Sequence, residues 1–384
     1  MTRSLLMTND FPPVISGIST LFYNVWKYYS PERMLVLTPR TKDSETFDRA
    51  AAFRPVRFRT FAGGKIGKLV SFVLMTFWCT WCVIFRNVRE IHTGQILSSG
   101  LIGFMFQKLF GIPCFLWVYG GETTKAYRRS LLEEKIIGTL LRECTFLVTI
   151  SPVVTEEFLE YGIPEERIIE IIPAVDAETF TPGPRPANLV EKLGLEDKQV
   201  LLTVSRLTER KGHDLVLKAL DILRNHDKLH YVIVGIGEDR ERLEGIITKS
   251  GLSGRVTFTG RIDDSELPDY YRLCDIYVMP NREVLGSTDS IEGFGISFIE
   301  ANACEKPVIA GRSGGTSAAV EDGVSGYRVD PENPEELAEK IRHLLDNPDK
   351  SADMGRRSRE RVLNEFSWED SARKLAESFS VSAF

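Results

Sequence analysis

The chain has 384 residues, with 48 Lys/Arg against 54 Asp/Glu, a length too great for one ordinary α/β core and suited to two domains. The near balance hides a split, because residues 1–129 hold 17 basic and 7 acidic side chains and the remainder 31 and 47. The first third therefore points to an anionic partner (phosphates, nucleic acid or an acidic membrane surface), with a merely solvated basic face as the alternative.

Six cysteines lie mostly in apolar runs without paired, regular spacing, which argues against a disulfide framework and fits reduced core thiols in a cytosolic protein. Met1–Leu6 is a short apolar run that leads straight into Asn-Asp-Phe-Pro-Pro without a cleavage-like site, so a first strand is expected and export is not. Asn9–Ile18 should open a helix, where Gly17 could bring backbone close to a phosphate or a reacting sugar; a plain tight turn explains it equally well. Leu69–Phe85 is a run of 17 residues without a charge, flanked by Lys65, Lys68, Arg86 and Arg89. It falls just short of spanning length, so a buried helix of the first domain is expected, ahead of an interfacial helix dipping into a bilayer. Cys79 and Cys82 form a C-x-x-C inside it, with no second pair or His nearby, and should be core rather than zinc or redox residues.

Strands are expected at 33–38, 113–118, 145–150 and 168–172, then at 200–204, 230–235, 256–260, 275–279 and 307–310. Strand and helix alternate at this spacing, which predicts an α/β chain with two parallel sheets, each covered on both faces. Four prolines and Gly183 within 173–186 mark the hinge between domains. Ser367 onward reads as an amphipathic helix opened by a Ser cap.

Ligands of open parallel sheets sit beyond the carboxyl ends of the strands, so the residues that follow each strand matter most. After 200–204 come Arg206 and Lys211, two cations just before a helix start, able to hold a diphosphate; two solvated loop charges are the plainer alternative. After 275–280 comes a long loop, then Glu292-Gly-Phe-Gly-Ile and a helix. Gly293 and Gly295 allow close backbone approach, Glu292 stands at the helix mouth, and Glu300 is displaced from it by on the order of 12 Å. That separation suits two hydroxyl sets on one extended ligand better than a carboxylate pair acting on one bond. Gly235-x-Gly237 is weak by itself, and Arg240 at the third glycine position disfavours a dehydrogenase.

Joined together, these segments resemble retaining glycosyltransferases of family 4. The specific part is Glu-x7-Glu at 292 and 300 with Ser-Arg-Leu-x3-Lys-Gly at 205–212, supported by Asn-Asp-Phe-Pro-Pro at 9–13, Pro-Ala-Val-Asp-Ala-Glu-Thr-Phe-Thr-Pro from 173, Pro-Val-Ile-Ala-Gly-Arg-Ser-Gly-Gly-Thr at 307–316 and the long loop before Glu292. The similarity is greatest to phosphatidylinositol mannosyltransferases and related α-mannosyltransferases. It implies a GT-B fold of two Rossmann-like domains facing a cleft: an acceptor-binding domain at 1–175, a nucleotide-sugar domain at 176–366, and a helix at 367–384 crossing back to the first. It further implies transfer of a hexose, best α-mannose from GDP-mannose, to a lipid-linked or glycan acceptor; a UDP-sugar donor, an epimerase or an inactive nucleotide-sugar-binding protein are the alternatives. Arg206 and Lys211 would hold the diphosphate, Glu300 the ribose, Glu292 the sugar hydroxyls, and Gly293, Phe294, Gly295 and Ile296 would give backbone contacts. Gly17 would approach the donor, while Gly235, Arg261 and Ile262 would border the nucleobase. The family has a His where this chain has Tyr119, near the reaction centre, which leaves donor identity or acceptor geometry open. No Asp-x-Asp occurs, the nearest pattern being Asp176-x-Glu178, so neither a metal nor a cofactor is expected. Retention on one face, closure about 173–186, a cytoplasmic location with peripheral contact to an anionic membrane, and no nucleic-acid partner complete the expectation.

Overall fold

The computed structural model describes residues 3–29, 32–51, 53–61, 64–123, 130–284 and 291–381. Part of the long loop ahead of Glu292, at 285–290, lies outside them. The chain forms two compact units, Met1–Pro173 with Trp368–Phe384, and Ala174–Ser367.

The first unit carries a seven-stranded sheet in the order β3-β2-β1-β4-β5-β6-β7. Its strands are β1 Arg3–Met7, β2 Met34–Pro39, β3 Val56–Phe58, β4 Val88–Thr93, β5 Cys114–Trp117, β6 Phe146–Thr149 and β7 Ile168–Glu170. The second unit carries a six-stranded sheet, β10-β9-β8-β11-β12-β13. Here β8 is Gln199–Val204, β9 Leu229–Val234, β10 Val256–Gly260, β11 Ile276–Met279, β12 Val308–Gly311 and β13 Gly326–Val329. Neighbouring strands pair in parallel throughout. Both sheets are Rossmann-like, with the strand order reversing between β1 and β4 and between β8 and β11, and a crevice opens at such a reversal beyond the strand ends.

Buried parallel strands read as continuous apolar runs, which is why Leu5–Met7, Val200–Leu202 and Val308–Ala310 were visible as strands. Strand β4 was not, because Arg89 and Glu90 interrupt it. The structure accommodates Glu90 through a hydrogen bond from the Ser4 hydroxyl. His92 on the same strand is a core residue: the Trp117 indole donates to its Nδ1 at 3.3 Å, and burial lowers the imidazole to about 3.

The chain passes between units at Pro173 and Ala174, at the start of the proline-rich stretch, and the rest of that stretch packs within the second unit. Phe180 packs edge-on against Tyr271 at 5.8 Å, Arg272 donates to the Thr181 carbonyl at 2.9 Å, and Asp176 accepts the backbone N–H of Thr179 at 3.2 Å. One expectation is corrected, that of a buried apolar helix: it runs Gly64–Arg86 and is buried on one face only. Gly67, Met75, Cys79 and Cys82 enter the core with Leu5, Leu35 and Ile91, while the opposite face stays exposed. Nothing in the sequence distinguishes its two apolar faces. The C-x-x-C thiols are core groups, and burial pushes Cys82 up to about 11.

The last helix, Trp368–Val381, belongs to the first unit. Trp368, Ala372 and Leu375 are buried, the Ser371 hydroxyl donates to the Ile172 carbonyl at 2.7 Å, and the helix packs on Gly17–Tyr29.

Candidate active site

Three loops meet main chain to main chain beyond the carboxyl ends of β8, β9 and β11. A Cβ at Gly235 would stand 1.9 Å from the Ser205 carbonyl oxygen, and one at Gly212 would stand 2.1 Å from that of Pro280. Both glycines also have positive φ, +139° and +73°, so contact and backbone conformation each demand glycine there. The platform is wired from beneath by His213, the first residue of the helix His213–Ile222. Its Nε2 lies 3.0 Å from the Ser205 hydroxyl and its Nδ1 2.9 Å from the Tyr231 hydroxyl. Burial lowers this imidazole to about 4, so it is neutral and serves as one donor and one acceptor.

Arg206 projects exposed from this platform, whereas Lys211 is turned inward. Lys211 Nζ lies 2.5 Å and Arg210 Nη1 2.7 Å from the same carboxylate oxygen of Glu292, with all three side chains at most 12% exposed. Burial alone would raise the Glu292 carboxyl, but the adjacent ammonium and guanidinium override it and hold the group at about 2. The backbone of Glu292 is fixed as well, since its carbonyl accepts the Gly315 N–H at 2.7 Å. Gly295, at φ +95°, then starts the helix Ile296–Ala303, whose first N–H groups have no partner within the helix. Between them Phe294 turns away into the core, edge-on to Phe366 at 5.8 Å, so that Gly293–Gly295 can offer backbone only.

Glu300 lies farther along that helix and is partly buried, with Tyr271 donating its hydroxyl at 2.6 Å. Burial raises its carboxyl to about 7, against the lowering effect of that hydrogen bond. Gly235 donates its N–H to the Gly260 carbonyl at 2.9 Å, which brings it beside the Arg261-Ile262 turn. Arg261 and Ile262 line a cavity of about 330 Å³ with Lys192, Thr259 and Tyr270; Lys211, Glu292 and Glu300 do not line it.

In the first unit, Gly17 is exposed at the start of the helix Gly17–Tyr29, where the Ser16 hydroxyl accepts the Ser19 N–H at 3.0 Å. Tyr119 follows β5, and its hydroxyl donates to the Gly94 carbonyl beyond β4 at 3.0 Å. Its backbone N–H and that of Gly120 donate to the two oxygens of Glu122 at 2.6 and 2.7 Å. Burial raises the Glu122 carboxyl to about 7, and the neighbouring Glu157 carboxylate adds to the rise. The tyrosine is thus held at both ends.

The structure joins Lys211 to Glu292 directly and gathers Arg206, Gly235 and Arg261 around adjoining loops; Gly17 and Tyr119 belong to the other unit. Sequence reasoning missed Arg210, Tyr271, His213 and Glu122. Arg210 had a signal, since it adjoins Lys211 in a basic pair, whereas Tyr271 had none.

Residues 187–361 match the family model described as glycosyl transferases group 1. The GDP-mannose-dependent alpha-(1-6)-phosphatidylinositol monomannoside mannosyltransferase of Mycobacterium tuberculosis is 30% identical over 391 residues, which cover 98% of either chain. The GDP-mannose-dependent monoacylated alpha-(1-6)-phosphatidylinositol monomannoside mannosyltransferase of Corynebacterium glutamicum is 29% identical over 387 residues, 97% of this chain and 96% of its own. Among solved structures, Anabaena HepE, crystallised with UDP and glucose, matches with a TM-score of 0.83 at 20% identity, over 98% of this chain and 99% of its own.

Proposed function

Because the chain belongs to the group 1 glycosyltransferases and has their GT-B fold, we propose that it is a retaining mannosyltransferase that needs no metal and carries mannose from GDP-mannose to a lipid-linked acceptor. The observation that carries the proposal is the Arg210–Lys211–Glu292 cluster beyond β8 and β11. GDP-mannose is supported by the two relatives that match nearly the whole chain and are named for that donor.

Without a donor, the one carboxylate of Glu292 engages both cations and leaves the cluster with excess positive charge. An arriving diphosphate competes for Lys211, assisted by Arg206 on the same loop and by the backbone N–H groups that open the two helices. Glu292 keeps Arg210 as its counter-ion and presents its second oxygen to the sugar hydroxyls. The bond from sugar C1 to the phosphate oxygen then breaks, and the acceptor oxygen bonds to C1 on the same face. The acceptor proton passes to the departing phosphate oxygen. Arg206 and Lys211 offset the charge on that leaving group, a form of stabilisation worth about 3–4 kcal/mol for a single well-placed donor.

A donor panel read by thermal shift tests this reading. GDP-mannose should raise the melting temperature by several degrees, since a ligand at about 100 times its Kd stabilises by about 2.7 kcal/mol. A larger rise with UDP-glucose would reassign the donor, and transfer assayed in chelator would expose any metal requirement.

Glu300 gives a pH signature. If the ribose hydroxyls donate to its ionised carboxylate, GDP affinity should climb as the pH rises through about 7. The sign for ligand-free stability is opposite: the folded-state value lies above the ordinary 4.5, so burial of the ionised form weakens the fold as pH rises from there toward about 7. Calorimetric titration of GDP at several pH values checks the affinity limb. Glu300→Gln should bind more weakly and lose the pH dependence; a flat wild-type profile would remove the ribose role.

A further inference from the structure

The main-chain interlock of the three loops is backed by an ionic chain. Arg282, 9% exposed, follows β11 and the Pro280 carbonyl that abuts Gly212. Its backbone N–H donates to the Arg210 carbonyl at 2.8 Å, and its guanidinium donates from Nη2 to Asp214 Oδ1. Asp214 is 5% exposed and stands in the first turn of the helix His213–Ile222. The same oxygen of Asp214 faces Arg242 at 3.8 Å. Arg242, on the helix Arg240–Lys249 after β9, grips both oxygens of Asp239 at 2.5 and 2.7 Å. One run of alternating charges, Arg282–Asp214–Arg242–Asp239, thus crosses the segments beyond β11, β8 and β9 in turn.

The buried member of this run, Arg282–Asp214, brackets the cations of the site. Arg282 holds the Arg210 carbonyl, and Asp214 holds the helix that begins two residues after Lys211. The peptide that carries both cations lies between these two fixed points. The Arg282 end is anchored in its own right, because Asn281 Oδ1 accepts the Gly311 N–H at 3.3 Å and Asn281 Nδ2 donates to the Ser313 carbonyl at 3.3 Å. A buried ion pair is a weak stabiliser, since apolar side chains of similar volume often serve the fold as well. What it supplies is direction, through the rigid fork of the guanidinium.

We propose that Arg282 and Asp214 are positioning residues: their ion pair clamps the Arg210–Lys211 peptide in the setting from which both cations meet Glu292, and so presets the diphosphate site before a donor arrives. The effect of the clamp on transfer rests on the proposed function; the clamp itself does not.

The test sets stability against turnover in the full chain. Arg282→Met leaves the Asp214 carboxylate buried without its nearest counter-ion and should lower the melting temperature by several degrees. In the Arg282→Met, Asp214→Asn double variant both charges are gone, so most of that loss should return. Turnover should not return with it. In both variants kcat with GDP-mannose is expected about ten- to a hundredfold below wild type, the effect of a misplacement on the order of 1 Å at reacting groups. Amide hydrogen exchange across 205–212 should be at least about tenfold faster in both, with exchange in the helix Pro334–Asp346 unchanged. Glu332→Gln is the control: it removes only an exposed partner, 3.5 Å from the same guanidinium, and should alter kcat by less than about twofold. A double variant that regains kcat together with stability would make the pair structural only and overturn the proposal. Wild-type exchange across 205–212 in both variants would overturn it too, and that comparison needs no donor. If the wild type binds no nucleotide-sugar, the proposed function fails by itself, and exchange still decides whether the clamp exists.

Discussion

Arg206→Ala is expected to lower kcat/KM by about two to three orders of magnitude, the cost of removing one charge-stabilising donor from a developing oxyanion. The melting temperature should move little, because the side chain is exposed and exposed substitutions stay within about 0.5 kcal/mol. The contrast with Lys211 is informative. Lys211 neutralises the buried Glu292, so its removal would unsettle the fold as well as the chemistry. Arg206 therefore separates the two effects cleanly. Steady-state kinetics with GDP-mannose, set beside a melting curve, makes the measurement; near-normal turnover with an intact fold would end the assignment of Arg206 to the diphosphate.

Gly235→Val should have the largest effect on stability, at least about 3 kcal/mol, because strained backbone and steric overlap act together. At φ +139° an L side chain is disfavoured before any contact is counted, and its Cβ would lie 1.9 Å from the Ser205 carbonyl oxygen. Relief requires the Ser205–Arg206 backbone to withdraw, so nucleotide binding should fail even in the fraction that stays folded. Gly254→Ala is the matched control, since its Cβ would meet nothing within 4 Å. Urea unfolding of the two variants, with GDP binding measured alongside, distinguishes a local clash from a general intolerance of substitution; equal stability of both would refute the interlocked-loop account.

Much of the fold is written in local sequence. The buried strands announce themselves as apolar runs, and the loops that matter carry paired cations or close-set glycines just past a strand. The placement of Glu292, Lys211 and Arg206 beyond strand ends was legible for that reason. What stayed hidden depends on contacts between distant segments. Tyr271 reaches from its own helix to Glu300 on another, and Arg210, although it adjoins Lys211, gains its carboxylate only when Glu292 arrives from beyond β11. Strand β4 was missed because Glu90 finds its partner, the Ser4 hydroxyl, only once the sheet exists. The apolar helix shows the converse problem: hydrophobicity reveals that a surface will be covered, but not which half of it the protein covers itself.

The final helix has a consequence for how the molecule is made. Its buried face, Trp368, Ala372 and Leu375, covers the helix that begins at Gly17, yet it is synthesised only after all of Ala174–Ser367. Domains usually fold in order as they leave the ribosome. Here the second unit is contiguous and can finish first, while the earlier-made sheet waits with the Gly17–Tyr29 helix uncovered until Trp368 and the residues after it have been made. A truncated product ending before Trp368 would therefore leave the second unit intact and spoil the part made first.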